Sequence, residues 1–186
     1  MLEIALQTLR KCKPSEFRKS YGLWDREPLE WEEDKIFLMK GSHAHYNPIF
    51  YSYVLYEKKR LTVGRFLFQI GLSFNFSGCL MASFKYKGYE YISHIPVDGS
   101  NCRQQFQEFI YNNCFNPGDF NIFKPFFEPL CCSYWGLITK TGKCYSIGIN
   151  TITDEIVKIE EATPMSYDDK INLLLNNIDL ERYIWD

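Results

Sequence analysis

Two side chains capable of covalent chemistry stand in the stretch "FNFSGCLMASFKYKGYEYISHIP", residues 74–96: Cys79 and His94. A thiol titrates near 8.5 and is mostly protonated at neutral pH; an imidazole that removes its proton turns it into a nucleophile. Whether these two can cooperate depends on how the stretch folds back on itself. Lys87-Gly88 makes a natural two-residue turn. Tyr86 then pairs with Tyr89, Lys85 faces Glu90 as an attractive charge pair, Met81 faces His94 and Cys79 faces Pro96. Side chains alternate along a strand, so Cys79 and His94 share a face as diagonal neighbours, with Cβ atoms roughly 7–8 Å apart or less. A three-residue loop would instead turn His94 to the opposite face. Ser77-Gly78 lets the backbone turn sharply before the cysteine, leaving N–H groups free to bind an oxyanion. Against this stands the plain alternative that Cys79 is inert packing and His94 a hydrogen-bonded strand residue.

Other residues carry weaker signals. His43 and His45 in "SHAHYNP" lie on one side of an extended segment, but no further ligand stands at a recognisable spacing, so no metal is expected and the segment reads as a polar loop. No other cofactor is implied. Cys131 and Cys132 are adjacent and poorly placed to bond one another; they read as buried free thiols. Cys12, Cys102, Cys114 and Cys144 fall on positions that read as core. "DGSN" after His94 is most simply a helix cap, from which Asp98 could approach the site.

"FSGC", residues 76–79, entering a strand with a histidine on the next strand, resembles the glutamine-deamidating toxins. These are the catalytic domain of cytotoxic necrotizing factor and the Burkholderia lethal factor, whose signature is Leu-Ser-Gly-Cys; the chemoreceptor glutamine deamidase of chemotaxis shares their Cys–His fold. The resemblance covers residues 74–96, with Phe76 in place of leucine. In that family the cysteine opens a strand of a β-sandwich, whereas papain-like hydrolases place it at a helix N-terminus. The resemblance implies hydrolysis of a glutamine side chain on a protein substrate, with Cys79 as nucleophile and His94 as base and then acid. It also implies a third group orienting the histidine. Ser73, Asn75 and Ser77 lie on one face of the preceding strand if that strand is regular, so Ser73 or Asn75 could serve; a loop carbonyl near Tyr46 is equally allowed. Further implications are a bacterial toxin or effector, monomeric, delivered by non-classical secretion to a host or target-cell cytoplasm, with a host GTPase or translation factor as the kind of substrate. A cysteine protease or acyl-hydrolase using the same dyad, and a non-catalytic binding or immunity module, fit the same residues.

The elements that must position the dyad follow from periodicity. Leu2, Ile4, Ala5 and Leu9 have helical spacing, and residues 13–35 read as loops with one helical turn. Strands are expected at 35–40, 49–57, 61–70, 72–86 and 89–95. A helix follows at 102–113, with Cys102, Phe106, Phe109 and Ile110 on one face. The proline-punctuated segment 116–130 leads to a hairpin, "YWGLITK" and "KCYSIGIN" about Thr141-Gly142, then the strand "EIVKIEEA". Ser166 with Asp169 offers a capping box for a last helix carrying Ile171, Leu174, Leu175 and Ile178. The expected fold is one α+β domain, a largely antiparallel, sandwich-like β core with flanking helices.

At 186 residues the chain can bury a sizeable core, and its thirteen tyrosines and fifteen phenylalanines favour sheet surfaces. A net charge of −2 without a basic block argues against nucleic acid as a partner. Seven cysteines without a CxxC pair, and an N-terminus without an apolar signal core, suggest mostly free thiols in a reducing compartment. The apolar run from Phe66 to Phe84 is interrupted by Gln69, Asn75 and Ser77, so it reads as two buried strands and not as a membrane span.

Overall fold

The computed structural model describes residues 1–19, 37–175 and 178–185. Its strands form two stacked sheets. The first has five strands in the order β1 (Phe37–Met39), β4 (Leu61–Arg65), β7 (Tyr89–Ile95), β6 (Leu80–Tyr86) and β8 (Phe120–Phe123). The second has six: β11 (Glu155–Ala162), β10 (Cys144–Asn150), β9 (Ser133–Thr139), β5 (Ile70–Phe76), β3 (Ile49–Val54) and β2 (His43–Tyr46). Among the described residues, β1–β4 and β3–β5 pair in parallel and the other pairs are antiparallel. The expected α+β fold with flanking helices is the observed one.

Alternation along the strands creates three apolar layers. Between the sheets, Met81, Ile92 and Phe123 meet Val54, Phe76, Tyr134 and Ile138. Helix α3 (Cys102–Asn112) covers the outer face of the five-stranded sheet, burying Phe106, Phe109 and Ile110 on Phe84 and Tyr91. Helices α1 (Leu2–Lys11) and α2 (Pro14–Arg18) cover the six-stranded sheet, with Leu6, Leu9 and Phe17 against Tyr51, Phe74 and Trp135. A fourth helix, α4 (Tyr167–Leu174), opens with Ser166 accepting the Asp169 N–H at 3.2 Å, so only one of the two bonds of a full capping box is present. Among the described residues, no helix is long and apolar enough to cross a membrane.

Several expected boundaries move. The strand expected over 72–86 is two strands in different sheets: β5 ends at Phe76, the chain crosses the sandwich through residues 77–79, and β6 begins at Leu80. Gly78 makes that crossing with φ of +117°, a conformation open to glycine. The segment of His43 and His45 forms strand β2, and the proline-punctuated segment contains β8. Residues 20–36, which include most of the expected N-terminal loops and the start of the first strand, lie outside the described residues.

One close approach binds the sheets where the dyad lies. A Cβ added at Gly64 would stand 2.4 Å from the Tyr53 carbonyl oxygen, and one at Gly41 would stand 2.0 Å from it. Beside them, the Thr62 hydroxyl donates to the Leu55 carbonyl at 2.7 Å. The end of β3 is thereby pressed onto β4, and the two lean toward β7. Gly64→Ala is therefore expected to lower the free energy of unfolding by about 2–4 kcal/mol, because the obstructing atom is backbone and cannot swing aside. Gly118→Ala, with no atom within 4 Å of its added Cβ, should change stability by less than about 0.5 kcal/mol. Paired chemical denaturation curves measure both.

Candidate active site

The hairpin closes in the expected register: Tyr86 pairs with Tyr89, Lys85 with Glu90, Met81 with His94 and Leu80 with Ile95. Lys87 and Gly88 both take positive φ, as a two-residue turn between right-twisted strands requires. On its other flank His94 pairs with Thr62 of β4. Its imidazole enters the layer between the sheets, stacked on the Phe76 ring at 4.1 Å and tilted against the Tyr56 ring at 5.2 Å. His94 is fully buried.

One hydroxyl settles which imidazole nitrogen carries the proton. Ser73 Oγ lies 2.9 Å from His94 Nδ1 and 2.8 Å from the Val54 carbonyl oxygen. A carbonyl can only accept, so the serine donates its single proton there and receives the Nδ1–H of the imidazole. His94 is thereby held neutral with its lone pair on Nε2, and among the described residues Nε2 has no hydrogen-bond partner. Burial pushes the His94 pKa down to about 3, with a small opposing pull from Asp98.

Cys79 occupies the corner between the sheets, one residue before Leu80 and hence one step beyond the Leu80–Ile95 pair. It packs in the same inter-sheet layer as Phe76 and Met81 and is 5 % exposed. Burial raises its pKa, while the backbone N–H groups of Val97 and Ser77 draw it down. The resting pair is therefore a neutral thiol beside a neutral imidazole. A thiolate here would need His94 to take the proton, as in general-base chemistry, and not a preformed ion pair. Cys79 Sγ and His94 Nε2 share no hydrogen bond in this state.

The other candidates sort by position. Of the groups expected to orient the histidine, Ser73 is the one bonded to its ring. Asn75 is not: β5 bulges between Ser73 and Phe76, and Asn75 takes φ of +62° and accepts from Arg18 at 3.1 Å on the outer side. The bulge also returns Phe76 to the inner face, where it stacks on His94. Tyr46 sits on β2 with its ring 4.7 Å from Phe17 in the outer layer, and the carbonyl next to the site belongs to Val54. Ser77 and Gly78 form the corner, as expected. His43 and His45 are exposed on the outermost strand, His45 stacked on Phe50 at 4.1 Å. Cys132 and Cys114 are exposed and Cys131 half-buried, correcting their reading as core thiols; all seven cysteines are free.

Tyr56 carried no signal in the sequence, because it follows the end of β3 and reaches the site only through the sheet crossing. Its hydroxyl donates to Asp98 Oδ2 at 2.8 Å, and the same oxygen accepts the Lys59 N–H at 2.7 Å. Burial would raise the Asp98 pKa, but these donors and Ser100 outweigh it and hold the carboxyl below its usual range. A groove of about 220 Å³ opens beside the corner, walled by Ser77, Gly78, Phe126, Leu130, Cys131 and Tyr134. No protein-family model, curated protein or solved structure matches the chain.

The buried imidazole has a consequence for stability. His94 in the unfolded chain titrates near 6.5, and in the folded protein near 3. Its contribution is complete above the unfolded value and is lost as pH falls toward the folded one. Between pH 6.5 and 4.5 the wild type should therefore lose about 2–3 kcal/mol more stability than His94→Gln. Denaturant unfolding at the two pH values, compared between the two proteins, measures the difference.

Proposed function

We propose that this chain is a Cys–His amide hydrolase that converts a glutamine side chain of another protein to glutamate. The observation that carries the reading is the Val54–Ser73–His94 chain of hydrogen bonds, which leaves Nε2 unpaired on the face it shares with Cys79. A core histidine serving structure alone more often has partners for both ring nitrogens. The Ser-Gly-Cys corner at residues 77–79 and the strand that follows it agree with the resemblance to glutamine-deamidating toxins. An effector or toxin role, with a protein from a host or competing cell as substrate, rests on that resemblance.

The chemistry assigns each group one task. His94 Nε2 takes the Cys79 proton as the sulfur bonds to the carboxamide carbon, and backbone N–H groups near the 77–79 corner stabilise the oxyanion. The imidazolium passes its proton to the amide nitrogen, the C–N bond breaks and ammonia leaves a thioester on Cys79. Water then attacks the thioester while Nε2 takes its proton; the S–C bond breaks, the thiol is restored and glutamate is released. Ser73 stays bonded to Nδ1 throughout and stabilises the imidazolium each time it forms. Cys79 and His94 are almost closed to solvent, so the loops at 56–60 and 96–101 part to admit substrate and close again over it, restoring the Tyr56 and Lys59 bonds to Asp98.

Incubating a cell lysate with wild-type protein and mapping its peptides by mass spectrometry is expected to show specific Gln-to-Glu conversions, without new chain ends. Cys79→Ser and His94→Gln should each lower the conversion by at least about 100-fold. New chain ends without Gln-to-Glu conversion would make the enzyme a protease. Conversion that persists in Cys79→Ser would remove the nucleophile from the mechanism.

A further inference from the structure

Beside the thiol, three buried polar atoms lack a hydrogen-bond partner: His94 Nε2, Asp98 Oδ1 and Ser100 Oγ. They belong to one neighbourhood. Tyr56 joins two of them, its ring against His94 and its hydroxyl on the other oxygen of Asp98. Ser100 stands near enough to help keep the Asp98 carboxylate ionised, yet outside good hydrogen-bond geometry. Buried polar groups are rarely left unpaired, and a cluster of them marks a place a ligand completes.

Their chemistry defines that ligand. His94 Nε2 presents a lone pair, because Ser73 holds the proton on Nδ1. Asp98 Oδ1 belongs to an ionised carboxylate whose other oxygen is already taken by Tyr56 and Lys59, so Oδ1 also only accepts. Nε2 is committed to the Cys79 proton, so Oδ1 is the acceptor left for a ligand, and it calls for a small group bearing an N–H donor. The nitrogen of a primary carboxamide has two; an ester, a thioester or a carboxylate has none.

We propose that Asp98 Oδ1 receives an N–H bond of the substrate carboxamide while His94 Nε2 stays free for the Cys79 proton, which makes Asp98 the residue that selects glutamine over esters and acids. The assignment rests on the amide-hydrolase reading of Cys79 and His94. It also gives the reaction a direction: once ammonia has left, the product carboxylate faces the carboxylate of Asp98 and is repelled. Tyr56 and the Lys59 N–H act as positioning groups, since they fix Oδ2 and thereby orient Oδ1.

The selection is testable without knowing the substrate, through two small alkylating reagents with the same reactive carbon. Iodoacetamide carries the two N–H donors, and methyl iodoacetate is neutral and carries none. Rates at Cys79 are followed by site-resolved mass spectrometry, and each is divided by the rate at the exposed Cys132 in the same sample. The normalised preference of wild-type Cys79 for iodoacetamide is expected to be about tenfold or more. Asp98→Asn, which replaces an acceptor by a donor, should reduce it to within about twofold, and Tyr56→Phe, which only loosens Asp98, to an intermediate value. A wild-type ratio near one, or a ratio unchanged in both variants, overturns the assignment while leaving the nucleophile in place. If Asp98→Asn does not fold, the wild-type ratio and Tyr56→Phe decide. Alkylation of Cys79 that is equally fast in His94→Gln would instead overturn the dyad, and the assignment with it.

Discussion

The site depends on a single hydroxyl shared between two sheets. Ser73 belongs to β5 of the six-stranded sheet, His94 to β7 of the five-stranded sheet, and Val54 ends β3 next to Ser73. The serine has one proton and gives it to the carbonyl, so the imidazole must give its own to the serine. Removing that hydroxyl would leave a buried Nδ1–H unpaired at a cost of about 1–3 kcal/mol and free the ring to exchange tautomers. The surrounding architecture keeps these three groups in line. Gly64 and Gly41 let β3 press against its neighbours, Phe76 stacks flat on the ring, and Thr62 closes its other flank.

The same burial that orients the dyad also keeps it quiet. Desolvation disfavours both the thiolate and the imidazolium, so the resting site holds no ion pair. An exposed thiolate is open to adventitious oxidation, and a neutral buried thiol is protected. In the proposed reaction, proton transfer and bond formation would occur together on a bound substrate. The Tyr56–Asp98 contact joins the loops that follow β3 and β7 and lies across the approach to this pair.

Much of the site was legible before the fold was known, and the reasons are local. A Lys-Gly turn and a Lys85–Glu90 charge pair fix a hairpin register by short-range geometry, and that register put Cys79 and His94 on one face. Ser73 was one of several groups that could orient the histidine, because choosing among them needs the sheet pairing β3–β5–β9. Asn75 misled because the alternation argument assumes an unbroken strand. Asparagine tolerates positive φ, and one bulge there sends it outward and brings Phe76 in. The short strands β2 and β8 were missed since four residues hold too little periodicity to read. That the chain changes sheets at 77–79 is a non-local fact, although the glycine that permits it was visible.

Everything at this site turns on His94 being a neutral imidazole protonated on Nδ1, with a free lone pair on Nε2. Long-range proton–nitrogen correlation spectroscopy of the labelled protein reads this directly. His94 is expected to show one protonated and one bare ring nitrogen, with Nδ1 the protonated one, unchanged from pH 8 to about pH 5. A His94 ring that carries its proton on Nε2, or that gains a second proton near pH 6.5 as an exposed histidine does, would contradict it.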